Sequence, residues 1–228
     1  MSMSAPGVTV VHMRLISSPY ERPFLRPASL NPFDIIGDGV VETLRDRGAQ
    51  ELSIRSVAKA LGVTSQGLHQ RLQSHRHDDT ETPTAVLCRM ASVALGQRWF
   101  TWVRESLMAL APEVPEIRLP QTEHERMGVA VWTAWHEVAR GRDLLGDPVP
   151  GEILAATRDD ERQLLADEMD RAMGRRPSDH QLVTLLALAD GLRAQLVQPA
   201  SNLPVGTAQE VMARQVASVL QVETRPAA

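Results

Sequence analysis

The stretch from Leu52 to Leu72 constrains this chain most, because it reads as two short helices joined by a tight glycine turn. Ser53 and Thr64 stand where helix N-caps are wanted, and Ile54, Val57, Ala58 and Leu61 recur at helical spacing on one face. Gly62 should end the first helix, since glycine enters the left-handed region at little cost, and small Ala58 leaves room for the second helix to cross close by. Val63 and Leu68 are the expected anchors of that second helix. The face left over carries Ser65, Gln66, Gly67, His69, Gln70 and Arg71, all small or able to hydrogen-bond, which suits a helix that lies in a DNA groove. An ordinary helical hairpin shows the same cap-glycine-cap rhythm, so the pattern alone leaves both readings open.

A preceding amphipathic helix, expected at about residues 32–47, ends in Asp46-Arg47-Gly48 just before the motif. This order resembles the TetR family of transcriptional regulators, whose members show a first helix, an R-G pair and then a run close to T-x-R-x-I-A-x-x-A-G-V-S-x-x-x-L-Y-x-x-F. Ser53, Arg55, Val57, Ala58, Ala60, Gly62, Val63, Thr64 and Leu68 match or conservatively replace that run. His69 stands where the family usually has a phosphate-contacting tyrosine, Leu72 where it has phenylalanine, and Arg71 where Tyr or His is common. The lysine usual after position 74 is absent; His75-Arg76-His77 and an acidic run follow, and Thr82-Pro83 opens the next helix as cap and first-turn proline. The resemblance implies a DNA interface at Ser53, Arg55, Thr64, Ser65, Gln66, Gly67, His69, Gln70, Arg71, Ser74 and His75, with a phosphate clamp that is rebuilt or weakened.

Composition is that of a soluble globular chain: 228 residues at 43% hydrophobic content can bury a sizeable core. No apolar run approaches the ~20 residues needed to span a bilayer, and no basic-then-apolar leader pattern opens the chain, so a cytoplasmic protein without a membrane partner is expected. The single cysteine, Cys88, lies among Val86, Leu87 and Met90 and reads as a buried small hydrophobe. A net charge of −4 argues against a general nucleic-acid coat. The charge is unevenly placed: residues 1–78 hold nine basic and seven acidic groups, and residues 79–228 hold fifteen and twenty-one. A mildly positive head on an acidic body agrees with DNA contacted at one end.

Residues 1–30 read as a proline-punctuated extension, with Pro6, Pro19, Pro23 and Pro27 too closely spaced for helix. Val8 to Val11 could form a short strand, and Arg14, Arg22 and Arg26 could follow a minor groove, although a plain tail explains them as well. Residues 31–81 form the expected helix-turn-helix domain, opened by the cap Asn31 and by Pro32. Residues 82–228 read as helices throughout, at about 84–110, 122–140, 151–173, 178–197 and 207–221, with a proline-rich connection between Pro112 and Pro120. No β-pattern competes, so the expected fold class is all-α.

This layout is also similar to the family's C-terminal half, in which a helical body binds a small molecule and the last two helices pair with a second subunit. The best local element is Leu185-Leu-Ala-Leu-Ala-Asp-Gly-Leu192, close to an A-x-x-D-G-L found in many penultimate helices. The resemblance implies a dimer interface at Leu185, Leu188, Ala189, Gly191, Leu192, Leu196, Met212, Val216 and Val219. Gly191 costs about 1 kcal/mol against alanine inside a helix, which close approach of another helix would explain.

All four tryptophans fall in this half, and Trp99 with Trp102, like Trp132 with Trp135, share a helix face at a spacing of three. With Met127 and His136 they form the expected ligand site for an apolar or aromatic effector, although large rings suit a core equally well. His75-Arg-His-Asp-Asp79 is better read as a solvated loop than as a metal site, and His136-Glu137 lacks a second histidine at zinc-hydrolase spacing. No G-x-G-x-x-G, G-x-x-x-x-G-K-[ST] or G-x-S-x-G run occurs, so neither an enzyme nor a cofactor is expected. The reading is a ligand-responsive DNA-binding regulator, by resemblance a repressor, that binds a palindromic operator as a homodimer. The rival is a helical interaction protein of the same fold that has lost DNA binding.

Overall fold

The computed structural model describes residues 31–108, 117–198 and 201–221. The proline-rich extension, its short strand and its arginines, the end expected near 110 for the long helix and most of the proline-rich connection lie outside the described residues. Within them the chain is all-helical: α1 (Pro32–Arg47), a 3₁₀ turn (Ala49–Glu51), α2 (Ile54–Ala60), α3 (Ser65–Gln73), α4 (Pro83–Met108), α5 (Glu123–Leu144), α6 (Val149–Met173), α7 (Asp179–Val197) and α8 (Val205–Gln221).

Local chemistry sets most of the boundaries. The Asn31 side chain accepts the Phe33 N–H and Pro32 occupies the first turn of α1. Ser53 and Ser56 form a reciprocal capping box at α2, Thr122 and Glu125 do so at α5, and Ser178 and Gln181 at α7. Gly62 has φ of 68°, the left-handed turn expected between α2 and α3. α5 runs a turn beyond the expected Arg140 because Arg142 folds back onto Asp147 at 2.6 Å and closes its C-terminal turn.

α4 is the spine, buried on several sides at Val86, Leu87, Met90, Ala91, Ala94, Leu95 and Trp99, and α1 and α6 pack along it. The close approach in the helix-turn-helix falls on α1. A Cβ at Gly39 would lie 2.6 Å from Leu61 Cγ and one at Gly37 would lie 2.8 Å from Ala94 Cβ, so two glycines seat α1 against α2 and α4. Arg98 fixes the second contact: its Nη2 donates to the Asp34 carbonyl at 3.0 Å and to Asp38 Oδ1 at 2.7 Å. Cys88 is buried, and burial pushes its thiol pKa up to about 11, which keeps it an unreactive apolar group.

Candidate nucleic-acid interface and ligand body

α3 is held from beneath by Leu68 and Leu72, each 1% exposed, and its other face is open. Val63 does not anchor it as expected: 42% of its surface stays accessible, because the turn after Gly62 points it outward and Leu72 takes the second anchoring position. Ser65, Gln66, His69, Gln70 and Arg71 all stand exposed, whereas Gly67 is half-buried and gives its N–H to the cap oxygen of Thr64 at 3.0 Å. A polar face with no competing role among the described residues is what base reading requires.

The flanking residues divide. Ser53 and Arg55 are exposed on α2, although Ser53 Oγ is already engaged by the Ser56 N–H at 3.1 Å. They line a shallow cleft with Arg47, Glu51, Ser56 and Lys59, so three cations share it with one carboxylate. Sequence reasoning left out Arg47 and Lys59; they lie on different helices, and only folding brings them to the same cleft. Ser74 Oγ donates to the Arg71 carbonyl at 2.8 Å, closing α3. His75 is half-buried with its ring edge-on to Phe33 at 6.4 Å, and its carbonyl accepts Arg89 Nη2 at 2.6 Å. It therefore joins α3 to α1 and α4 more than it faces outward. Arg89 also donates to Glu81 at 2.8 Å, and this hydrogen bond holds the Glu81 pKa below the usual value.

In the body, the structure assembles the tryptophans but closes them into the core. Trp99 stacks on Trp132 with ring centroids 5.0 Å apart and 6° between planes, and Trp102 lies tilted against Trp99. Trp135 is wholly buried and donates to Ser92 Oγ at 3.1 Å; Trp99 Nε1 donates to Glu161 at 3.3 Å. A side chain with no accessible surface cannot line an open pocket. Trp99 and Trp135 are thus core residues in this state, Met127 is half-buried, and His136 is exposed with its ring edge-on to Trp132 at 4.9 Å. His136 faces an open groove with Arg140, Asp143, Glu152 and Arg158. Desolvation where its ring meets the protein, followed by the charges of Arg158 and Arg140, lowers its pKa.

Glu161 is the centre the sequence did not reveal. It is 1% exposed, and it accepts Arg193 Nη1 at 3.0 Å and Arg158 Nη1 at 2.6 Å. Burial pushes its pKa up, but the two guanidiniums outweigh burial and leave it lowered, so it is ionised inside the protein. Arg193 in turn lies over the rings of Trp99 and Trp102, 5.1 and 5.2 Å from their centroids. Trp99 and Arg193 lie 62 and 32 positions from Glu161 along the chain, and no spacing rule links them to it.

The expected dimer residues also divide. Leu185, Ala189, Leu196, Met212, Val216 and Val219 are buried within the chain, so they form its own core rather than an intermolecular surface. Leu188 and Leu192 are half-buried, and Gly191 is exposed with no described residue within 4 Å of a Cβ built on it. The open strip of α7 is instead Val183, Ala187 and Gly191, and that of α8 includes Val211 and Ser218.

Among solved structures, the fold is similar to that of a Rhodococcus sp. protein described as a TetR-family transcriptional regulator, with a TM-score of 0.58 and 17% identity over 83% of this chain and 98% of that one. A transcriptional regulator from Rhodococcus sp. Rha1 aligns at a TM-score of 0.49 and 16% identity, over 84% of this chain and 97% of that one. No family model and no curated protein matches the sequence. The comparison that carries weight is the first, and by it this chain has the fold of TetR-family transcriptional regulators.

Proposed function

We propose that the protein is a DNA-binding transcriptional regulator, a repressor that binds a palindromic operator as a homodimer and is released by a small, mainly apolar molecule held in the body. The observation that carries this reading is the state of α3. Among the described residues, five of its polar side chains have no partner and Leu68 and Leu72 tie it down, and a basic cleft of Arg47, Arg55 and Lys59 on α1 and α2 is available to take phosphates. An ordinary helical hairpin has no need of that arrangement.

Dimerisation is supported by α7, which is apolar nearly all round: one side fills the core through Leu182, Leu185 and Ala189, while the other leaves Val183, Ala187 and Gly191 in water. A helix apolar on both sides calls for burial on both sides. Small residues at 187 and 191 let a second copy of the helix approach closely, and α8 also leaves Val211 exposed. Two reading helices would then enter successive major grooves about 34–36 Å apart. α4 carries both Arg98, which grips α1, and the neighbouring Trp99, which belongs to the body's core, so any change of packing around the tryptophans reaches the helix-turn-helix through one rigid element.

Selection of random duplex DNA by the purified protein tests the reading. An enriched palindrome with half-sites one helical turn apart supports it. No enrichment at low salt, with the protein folded and dimeric, favours the rival interaction protein. Equal effector affinity in free and operator-bound protein would remove the ligand-responsive part, because a ligand indifferent to two states cannot shift them.

A further inference from the structure

We infer that α3 reads a short run of A·T pairs, with Gln66, Gln70 and Gln73 on adenine edges and Val63 against a thymine methyl. The inference rests on the DNA-binding reading above and names the base content of the site that is recognised. Its basis is a stripe that the packing of the domain leaves open. Val63, Gln66, Gln70 and Gln73 follow one another at intervals of three, four and three residues, the period of one helix face, and all four are exposed. Leu68 and Leu72, each 1% exposed, turn the other side of α3 into the core. None of the three glutamine side chains has a hydrogen-bond partner among the described residues. Gly67, between Gln66 and Gln70, adds no side chain, and the Thr64 cap oxygen is the one described atom within 4 Å of a Cβ built there, at 3.0 Å. The middle of the stripe is therefore low, and α3 can come close to a base edge.

The chemistry of the stripe selects the base pair. A glutamine amide ends in a donor and an acceptor side by side, and in the major groove adenine presents their complement, N7 and N6–H₂. Guanine shows two acceptors there and calls for arginine or lysine, and cytosine shows a donor that calls for a carboxylate. α3 has no acidic residue, and its one arginine, Arg71, stands about 100° round the helix from Gln70 and off the stripe. From Gln66 to Gln73 the helix rises about 10 Å, the length of about three base pairs.

Each adenine read in this way brings the methyl of its thymine partner into the same groove, where it is the apolar group of the base edges. Val63 is the apolar group that answers it. A hydrophobic residue just before a cap often packs on the fourth helical residue, here Leu68, yet Leu68 is closed over while Val63 keeps 42% of its surface open. The Val63 N–H donates to the Ala58 carbonyl at 3.0 Å, which fixes its backbone at the head of the stripe.

Selection of random duplexes by the full-length protein, followed by deoxyuridine scanning of the selected operator, tests the assignment. Deoxyuridine pairs as thymidine does and lacks only the methyl. The half-site should contain about three consecutive A·T pairs. Replacing one particular thymine should cost the wild type about fourfold in affinity, the worth of one buried methyl, and should cost Val63→Ala nothing. Gln73→Ala should relax the preference at one A·T position by about fivefold or more, with circular dichroism confirming that each variant is folded. A half-site without an A·T run, replacement tolerated at every thymine, an equal loss in wild type and Val63→Ala, or a wild-type selection profile for Gln73→Ala would each overturn the inference. Any of these results with an enriched palindrome sinks this inference alone. A folded, dimeric protein that enriches no palindrome sinks the DNA reading and this inference with it.

Discussion

The core under α3 is mostly hydrocarbon, with Val57, Ala58, Leu68 and Leu72 closed over and Asp34, Thr43 and Ser56 as the buried polar residues of the neighbouring α1 and α2 among those described. The core of the body encloses Glu161, Arg193 and the ring nitrogens of Trp99 and Trp135, while Arg98 sits at its contact with α1. The difference follows from where each region keeps its chemistry. The helix-turn-helix displays its polar groups outward, so its interior need only hold a shape. The body turns ionised groups inward, where each must be matched, and a matched set is sensitive to anything that enters. The exposed face of α3 should therefore tolerate substitution without loss of fold, and the body should not.

The sharpest way to break that contrast is Glu161→Ala. It leaves Arg193 charged, 3% exposed and deprived of its main partner, and removing one member of a buried pair costs about 3–5 kcal/mol. Urea denaturation should show a loss of that size. Glu161→Ala with Arg193→Met should recover much of it, because the orphaned charge goes too. A single variant as stable as wild type would mean that the network is not holding the body together.

Gly191→Leu comes next. It adds a bulky side chain where no described residue lies within 4 Å, so the isolated subunit should keep its stability. If α7 meets a second copy there, the change enters twice, and overpacking costs about 1–3 kcal/mol at each site. Sedimentation should then show weaker dimerisation, and operator affinity should fall in parallel. A variant that stays fully dimeric with unaltered affinity would remove α7 from the interface.

Gln70→Ala sharpens the other side of the comparison. Gln70 is exposed on α3, so its loss should leave the unfolding midpoint unmoved. Preference at particular base positions should relax by about 1–3 kcal/mol, whereas Lys59→Ala in the basic cleft should weaken all sequences alike and flatten the salt dependence. Identical selection profiles for wild type and Gln70→Ala would show that α3 does not read bases through this side chain.

How far each region was legible in the sequence follows the same division. Caps, the Gly62 turn and the polar face of α3 were readable because each is a local rule acting within four residues. The body was readable as helices but not as a site. Apolar residues surround α7 on all sides, so periodicity could not say which face meets the core, and Leu185 and Ala189 belong inside while Val183 and Ala187 stand in water. Trp99 and Trp135 carry the same composition whether they line a pocket or fill a core; only their closed partners, Glu161 and Ser92, decide it. The Asp38–Arg98 and Glu161–Arg193 pairs join residues 60 and 32 positions apart and leave no trace in spacing.

The smallest expected effect tests the joint between the two regions, where Glu81 ties the loop after α3 to Arg89 on α4. The Glu81 carboxylate takes Arg89 Nε at 2.8 Å and the His77 N–H at 2.8 Å, and the first of these does most to hold its pKa below the usual 4.5 against the opposing effect of burial. A lowered folded-state pKa means that this contribution is complete above the unfolded value and is lost as pH falls through the folded one. The joint should hold from neutral pH down to about 4.5 and loosen below it. Other carboxylates titrate there too, Asp78 in the same loop and Glu161 in the body among them, so the total acid response does not isolate Glu81. Glu81→Gln does, because it removes one titration and weakens the Arg89 contact at every pH. Hydrogen exchange of α3 amides, relative to those of α4, should be faster in Glu81→Gln than in wild type at pH 7, and the gap should close as wild type is acidified. A gap that stays constant with pH would mean that the Glu81 charge plays no part in holding α3 to the body.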